Sequence, residues 1–469
     1  MHILRILFIV LEVIVLFNLL IIVHEVGHFL AARWRGLVIE KFGVWFGKPL
    51  WKKTINGVQY SLGSIPFGGF VALPQLAPMD IIEGKADVDR ATLPRISALD
   101  KIIVAIAGPL FSLLLALVFA CIVWVVGHPV SESDTTTVIG YIPAESPAGK
   151  AGLQAGDKIL EVDGKPVRRF SGMNDSVVWN VVRSEGATIP IKAERNGAVM
   201  DFSVEPYKAE TRGWRRKSVR QILIVPQETA IIDQVLPKTP AAEAALAHGD
   251  VVAGLNGVKV YNPAAIGDYV EKHPDEPVTL QILRGEKKLD VTLQPKRISE
   301  KDKTPRLGIW WDRDGKMSLA HPNPIEQVYD SITSTLNTIG AVASPKSDVK
   351  LQHLSGPVGI GRIYYLLFQN ERGWQLALWF SVILNVNLAI LNMLPIPVLD
   401  GGHIVLAIIE SIRRKPVNIR VLEFVQTACA VLIIGYMAYV SFFDIGDLFG
   451  RDSGESKSQR SVPSATPAP

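Results

Sequence analysis

The 469-residue chain is 48% hydrophobic with a mean hydropathy of +0.24, yet 20% of its residues are charged, so apolar and charged residues must be segregated into membrane spans and soluble sections. That length exceeds one ordinary core and predicts two to four packed units. The net charge of +4 is small and its Lys and Arg lie beside apolar segments rather than in one stripe, which sets nucleic acid aside; the two cysteines, Cys121 and Cys429, both sit in apolar runs, which excludes a disulfide framework.

Four apolar stretches can each span a bilayer as about 20 residues of helix: residues 3–23, 102–126, 376–394 and 421–443. The first is too long, and too poor in preceding basic charge and in small residues for cleavage, to read as a removable signal, so it is expected to be a retained span. It closes on His24-Glu25-Val26-Gly27-His28. Histidines at i and i+4 project from one helix face, so both imidazoles can reach one metal with the Glu close by, the spacing that zinc requires. Ionisable residues at the end of a span are costly unless they face a polar cavity or hold an ion.

Residues 39–73 follow, with Ile55-Asn56-Gly57-Val58 reading as a hairpin turn between short strands and Ile65-Pro66-Phe67-Gly68-Gly69-Phe70 as a flexible apolar continuation. Basic residues Arg33, Arg35, Lys41, Lys48, Lys52, Lys53, Arg95 and Lys101 join the first two spans, and Arg413, Arg414, Lys415 and Arg420 join the last two. Both connections are therefore expected on the cytoplasmic side, with both termini and the large middle section on the other.

That middle section repeats itself at an offset of 93 residues: Pro147-Ala148, Leu153, Gly156-Asp157, Ile159, Asp163-Gly164 and Val167 fall on Pro240-Ala241, Leu246, Gly249-Asp250, Val252, Asn256-Gly257 and Val260. Each copy reads as a short helix, a Gly-Asp turn, an apolar strand and a hairpin, followed by more strands and a helix. The pair resembles tandem PDZ domains, at 138–207 and 228–297, which add an extended chain to a sheet edge. Neither copy has a clear Gly-Leu-Gly-Phe-type carboxylate loop, and a packed ectodomain without a peptide ligand stands as the alternative. Residues 325–342 have the mixed periodicity of an interfacial helix, within an expected interfacial helical region 320–370 that also holds Leu354-Ser355-Gly356-Pro357.

The third span ends in Asn392-Met393-Leu394-Pro395-Ile396-Pro397-Val398-Leu399-Asp400-Gly401-Gly402-His403, at the depth of the first motif. Two prolines two apart interrupt a helix, and open backbone at this depth needs surrounding protein or a water cavity. A catalytic zinc takes three protein ligands and keeps a position for water. Asp400 is the candidate third ligand; His403, one turn on, competes on chemistry alone. The spans place membrane regions at 1–130 and 371–449, and the Ser-, Pro- and Ala-rich tail 450–469 is expected to be disordered.

HEVGH in the first span, NMLPIPVLDGGH at the third, IPFGGF at 65–70, AGP at 107–109, LSGP at 354–357 and the paired repeats together resemble the site-2 protease family over most of the chain. The resemblance implies an α-helical polytopic membrane protein of four spans, a membrane-re-entrant β-element and two α+β PDZ domains between spans two and three. It implies Zn2+ held by His24, His28 and Asp400, Glu25 as general base, and substrate contact at Asn392, Pro397, Gly68 and Gly69. The implied partners are the lipid bilayer and single-span membrane proteins, such as a pre-trimmed anti-sigma factor or remnant signal peptides, in a bacterial inner membrane. PDZ contacts to peptides or ectodomains follow from the same likeness. The competing reading is a membrane-anchored tandem-PDZ adaptor without proteolytic activity.

Overall fold

The computed structural model describes residues 2–76, 93, 94, 96–211, 213, 215–297, 304–312, 315–415 and 417–449; Arg95 and the tail 450–469 lie outside them. The chain divides into two units, one formed by 1–128, 321–336 and 355–444, the other by 129–320, 337–354 and 445–469.

Four helices among the described residues are long and apolar enough to cross a membrane: α1 (His2–Arg35), α2 (Ala98–Val126), α3 (Gly373–Asn392) and, after a shorter α4 (Asp400–Arg413), α5 (Ile419–Phe449). The first runs past the apolar stretch 3–23 and the HEVGH motif that closes it, to Arg35. The hydropathy falls at His24 and Glu25, but backbone hydrogen bonding is indifferent to that change. The helix stops where Gly36 takes φ +72° and the Leu37 amide returns to the Ala32 carbonyl at 2.9 Å, a glycine C-cap. A capping box of Ser97 and Asp100 opens α2.

Gly27 lets α1 and α2 approach closely, because a Cβ there would lie 2.5 Å from the Ala107 carbonyl oxygen and 2.9 Å from Phe111. Leu20 of α1, Ala116, Phe119 and Ala120 of α2, and Val382 and Val386 of α3 form one buried cluster. Leu4, Leu7, Phe8, Leu11 and Val15 remain exposed along α1, as bilayer-facing side chains do. After Asn392 the helix opens through Pro395 and Pro397, as the proline spacing requires, and restarts at Asp400. The connection folds tightly onto the first turn of α4. A Cβ on Gly401 would meet the Met393 carbonyl oxygen at 2.3 Å, and one on Gly402 the Ile396 carbonyl oxygen at 2.2 Å.

Between α1 and α2 lie β1 (Lys41–Phe46), β2 (Trp51–Ile55), β3 (Val58–Leu62) and β4 (Ile65–Ala72), ordered β2-β3-β1-β4. Asn56 and Gly57, at φ +50° and +82°, make the expected hairpin turn. Strand β4 pairs antiparallel with β1 and ends the sheet. Residues 325–342, expected to be helical, lie in the helix Pro324–Ala343. A further helix, Pro357–Phe368, falls within the expected helical region 320–370; the Asp444 carboxylate accepts from the Gly356 and Gly359 amides at its start, both at 3.0 Å.

The repeat has structural counterparts in the second unit. Asp163-Gly164 and Asn256-Gly257 all take positive φ in matching hairpins. Asp157 is bridged by Arg195 and Asp250 by Arg284, each at 2.7 Å, and each carboxylate also accepts a backbone amide at 2.8 Å, from Gln154 or Ala247. Separate cores fill the copies, around Ile159, Val162 and Ile191 in the first and Val252, Leu280 and Ile282 in the second. In the second, Ile309–Trp311 extends the sheet as its edge strand, preceded by Leu307 and by Gly308 at φ +83°.

Candidate metal centre

One face of α1 carries both motif histidines, 5% and 8% exposed, against α2. His28 Nδ1 lies 2.8 Å from the Val104 carbonyl oxygen; a carbonyl only accepts, so Nδ1 carries the hydrogen and the neutral ring presents its lone pair at Nε2. His24 Nδ1 lies 3.0 Å from the Ser112 hydroxyl, which can fix its ring in the same way. Such outer partners are what metal-bound imidazoles need. Val104, Gly108 and Ser112 recur every four residues along one face of α2, with Gly108 bare between the two anchors.

The two Nε2 atoms are 3.2 Å apart, and the Asp400 carboxylate reaches both, Oδ2 lying 3.3 Å from His24 Nε2 and Oδ1 3.3 Å from His28 Nε2. Asp400 Oδ2 is buried and has no hydrogen-bond donor among the described residues. Lone pairs and a carboxylate so arranged repel one another unless a cation lies between them. Two atoms about 2.0 Å from a tetrahedral zinc are about 3.3 Å apart, the spacing seen here. A Cβ on Gly108 would lie 2.2 Å from His28 Nε2 and 2.8 Å from His24 Nε2, so the glycine leaves open the space the ion needs. The residues fit zinc. His24, His28 and Asp400 form the group among the described residues that could hold a metal, and His403 is not part of it.

Glu25 projects toward the sheet, where its carboxylate accepts the Val71 amide and Gly69 packs beside it; a Cβ on Gly69 would be 3.4 Å from Glu25 Cγ. Asn392 Nδ2 comes within 3.4 Å of His24 Nε2, so this residue reaches the site. Of the other two expected substrate contacts, Gly68, at φ +84°, makes room for the Phe46 ring, and the Pro397 carbonyl accepts from Gln426 Nε2 at 3.3 Å. Sequence reasoning did not single out Ser112, the Val104 carbonyl or the function of Gly108. The four-residue recurrence on α2, two turns long and opposite a metal motif, is the signal that could have found them.

The model of peptidase family M50 matches residues 12–436. Protease RseP of Yersinia pestis is 28% identical over 93% of this chain and 98% of its own length. The regulator of sigma-E protease RseP of Escherichia coli is 26% identical over the same shares, and a putative zinc metalloprotease of Xylella fastidiosa is 26% identical over 92% of this chain and 97% of its own. Among solved structures, the PDZ domain of an SdrC-like protein from Listeria monocytogenes matches 19% of this chain and 94% of that one, at 23% identity and a TM-score of 0.18. The adaptor reading falls away, and the chain belongs to peptidase family M50, the site-2 proteases, as a multi-pass zinc metalloendopeptidase of intramembrane proteolysis.

Proposed function

We propose that His24, His28 and Asp400 hold the zinc and that Glu25 is the general base for hydrolysis of a peptide bond inside a single-span substrate. The observation that carries this is the convergence of two oriented Nε2 lone pairs and a buried carboxylate beside a fourth ionisable group, Glu25. Zinc, when bound, supplies Lewis acidity toward the scissile carbonyl and toward water. Glu25, aimed by the Val71 amide, takes the proton from the attacking water and returns it to the leaving amine. The Asn392 amide is in position to donate to the substrate backbone or to the oxyanion as it develops. A helical substrate must unwind first, and β4, at the sheet's end next to Glu25, offers a strand edge to pair with the opened segment. We assign the wider substrate contact to Gly68, Gly69 and Pro397 around that strand and the α3–α4 connection.

From the basic connections we read the metal end as lying on the cytoplasmic side of a bacterial inner membrane and both repeats and both termini as outside, with the sheet β1–β4 taken as a re-entrant element beside the site. The repeats, read as PDZ domains at 138–207 and 228–297, act as a size filter that excludes untrimmed ectodomains. Substrates are then membrane proteins already shortened by another protease, in keeping with relatives named for regulating sigma-E, or remnant signal peptides. Zinc content tests the ligand assignment: Asp400→Asn should lose the metal and His403→Ala keep it, and the reverse pattern would make His403 the third ligand.

A further inference from the structure

Asn18 lies deep in the first span, where a carboxamide is expensive to bury, and it is 6% exposed. Both of its amide hydrogens are used: Nδ2 donates to the Ile14 carbonyl at 2.7 Å, within its own helix, and to the Pro66 carbonyl at 3.1 Å, across to β4. Its Oδ1 is buried without a donor among the described residues, so the group is held there at a cost.

Asn18, Ile21 and Glu25 fall at i, i+3 and i+7, one face of α1. That face meets β4 in step. Asn18 holds Pro66, Ile21 and Glu25 flank Gly69, and Glu25 receives the Val71 amide. Of these contacts, the bond to Pro66 and the bond from Val71 are directional; the packing at Gly69 is apolar and tolerates sliding. The two polar contacts therefore fix the strand's position along the helix, at its start and near its end. A strand slip of one residue turns every side chain to the other face, so register is a discrete quantity here.

We infer that Asn18 is a positioning residue for the cleavage reaction: through the Pro66 carbonyl it registers β4 against the helix face that carries Glu25, and so sets which substrate bond is presented to the metal centre. This rests on the roles proposed above for Glu25 and β4. Among the described residues, removing the amide leaves the Val71 contact as the polar tie between α1 and β4, and the strand can then shift relative to the base.

The test uses the full chain reconstituted with a single-span substrate, product ends being mapped by mass spectrometry. The native chain should cut one principal bond, and Glu25→Gln should cut it at least about 10²-fold more slowly. Asn18→Leu, which keeps the branched shape of Asn without its polar atoms, should spread cleavage over neighbouring bonds and slow it at least about tenfold, with zinc content and melting temperature unchanged. Asn18→Gln, which retains the donor, should restore the native bond as the main site. Should Asn18→Leu fail to accumulate, Asn18→Ser replaces it, because a serine hydroxyl can return to Ile14 but is too short to span to Pro66. Cutting by either variant at the native bond and within twofold of the native rate overturns the inference while leaving the metal-centre reading intact. Failure of the native chain to cut within the span overturns both.

Discussion

Gly108→Ala isolates the space between the ligands. The added methyl carbon would lie 2.2 Å from His28 Nε2 and 2.8 Å from His24 Nε2, where real Cβ contacts are essentially never under 3.0 Å. Relief requires one ring nitrogen to withdraw by about 1 Å, a displacement that typically costs 10²-fold or more in activity. Neither ring is free to do so. His28 Nδ1 is held by Val104 and His24 Nδ1 lies against Ser112, both on α2, the same helix as the new methyl. The helix itself gains from the change, since Ala is favoured over Gly by about 1 kcal/mol. The variant should therefore stay folded, contain less than a tenth of the native zinc by elemental analysis, and cleave at least 10²-fold more slowly. Gly108→Ala with a full complement of zinc and near-native turnover would refute the assignment of Gly108 as the position that keeps room for the metal beside His24 and His28.

Ser112→Ala should weaken zinc binding by about 10- to 100-fold, measured by chelator competition, because His24 loses the partner that fixes its ring. In the second repeat, the Arg284 hydrogen bond leads the contributions that hold the Asp250 carboxyl below its usual range, against the opposing effect of burial. A carboxyl depressed in the folded state stabilises fully above the unfolded value and loses that contribution as pH falls through the folded one. Asp250→Asn should therefore cost on the order of 2 kcal/mol at neutral pH, between the exposed and buried limits for ion pairs. Its deficit should shrink as the pH is lowered below about 4, by chemical denaturation of the repeat region, and a pH-independent deficit would contradict the assignment.

Chemistry-bearing residues were legible where the sequence itself holds the spacing. HEVGH places two imidazoles on one helix face whatever surrounds it, and the double proline before Asp400 opens the chain wherever it folds. The 93-residue repeat was legible because hairpin turns with positive φ restrict composition to Asn, Asp and Gly. The outer partners of the histidines were not. Val104 contributes a carbonyl, which any residue can supply, and Gly108 and Gly401 matter for atoms that approach from other segments. The first helix continues past HEVGH because hydropathy marks where a chain leaves apolar surroundings, whereas Gly36 marks where the helix stops. The start of helix Pro357–Phe368, inside the expected helical region 320–370, was not legible because it is fixed by Asp444, distant in sequence.

The central claim is that Glu25 and the adjoining metal site hydrolyse a peptide bond within a membrane segment. Its most direct test is cleavage of a tagged single-span protein, reconstituted with the native chain or with Glu25→Gln, and mass-spectrometric identification of the new termini. The native chain should produce ends inside the span, and Glu25→Gln should retain zinc while losing about 10²- to 10⁴-fold in rate. Ends that all lie outside the span, or undiminished cutting by Glu25→Gln, would contradict the account.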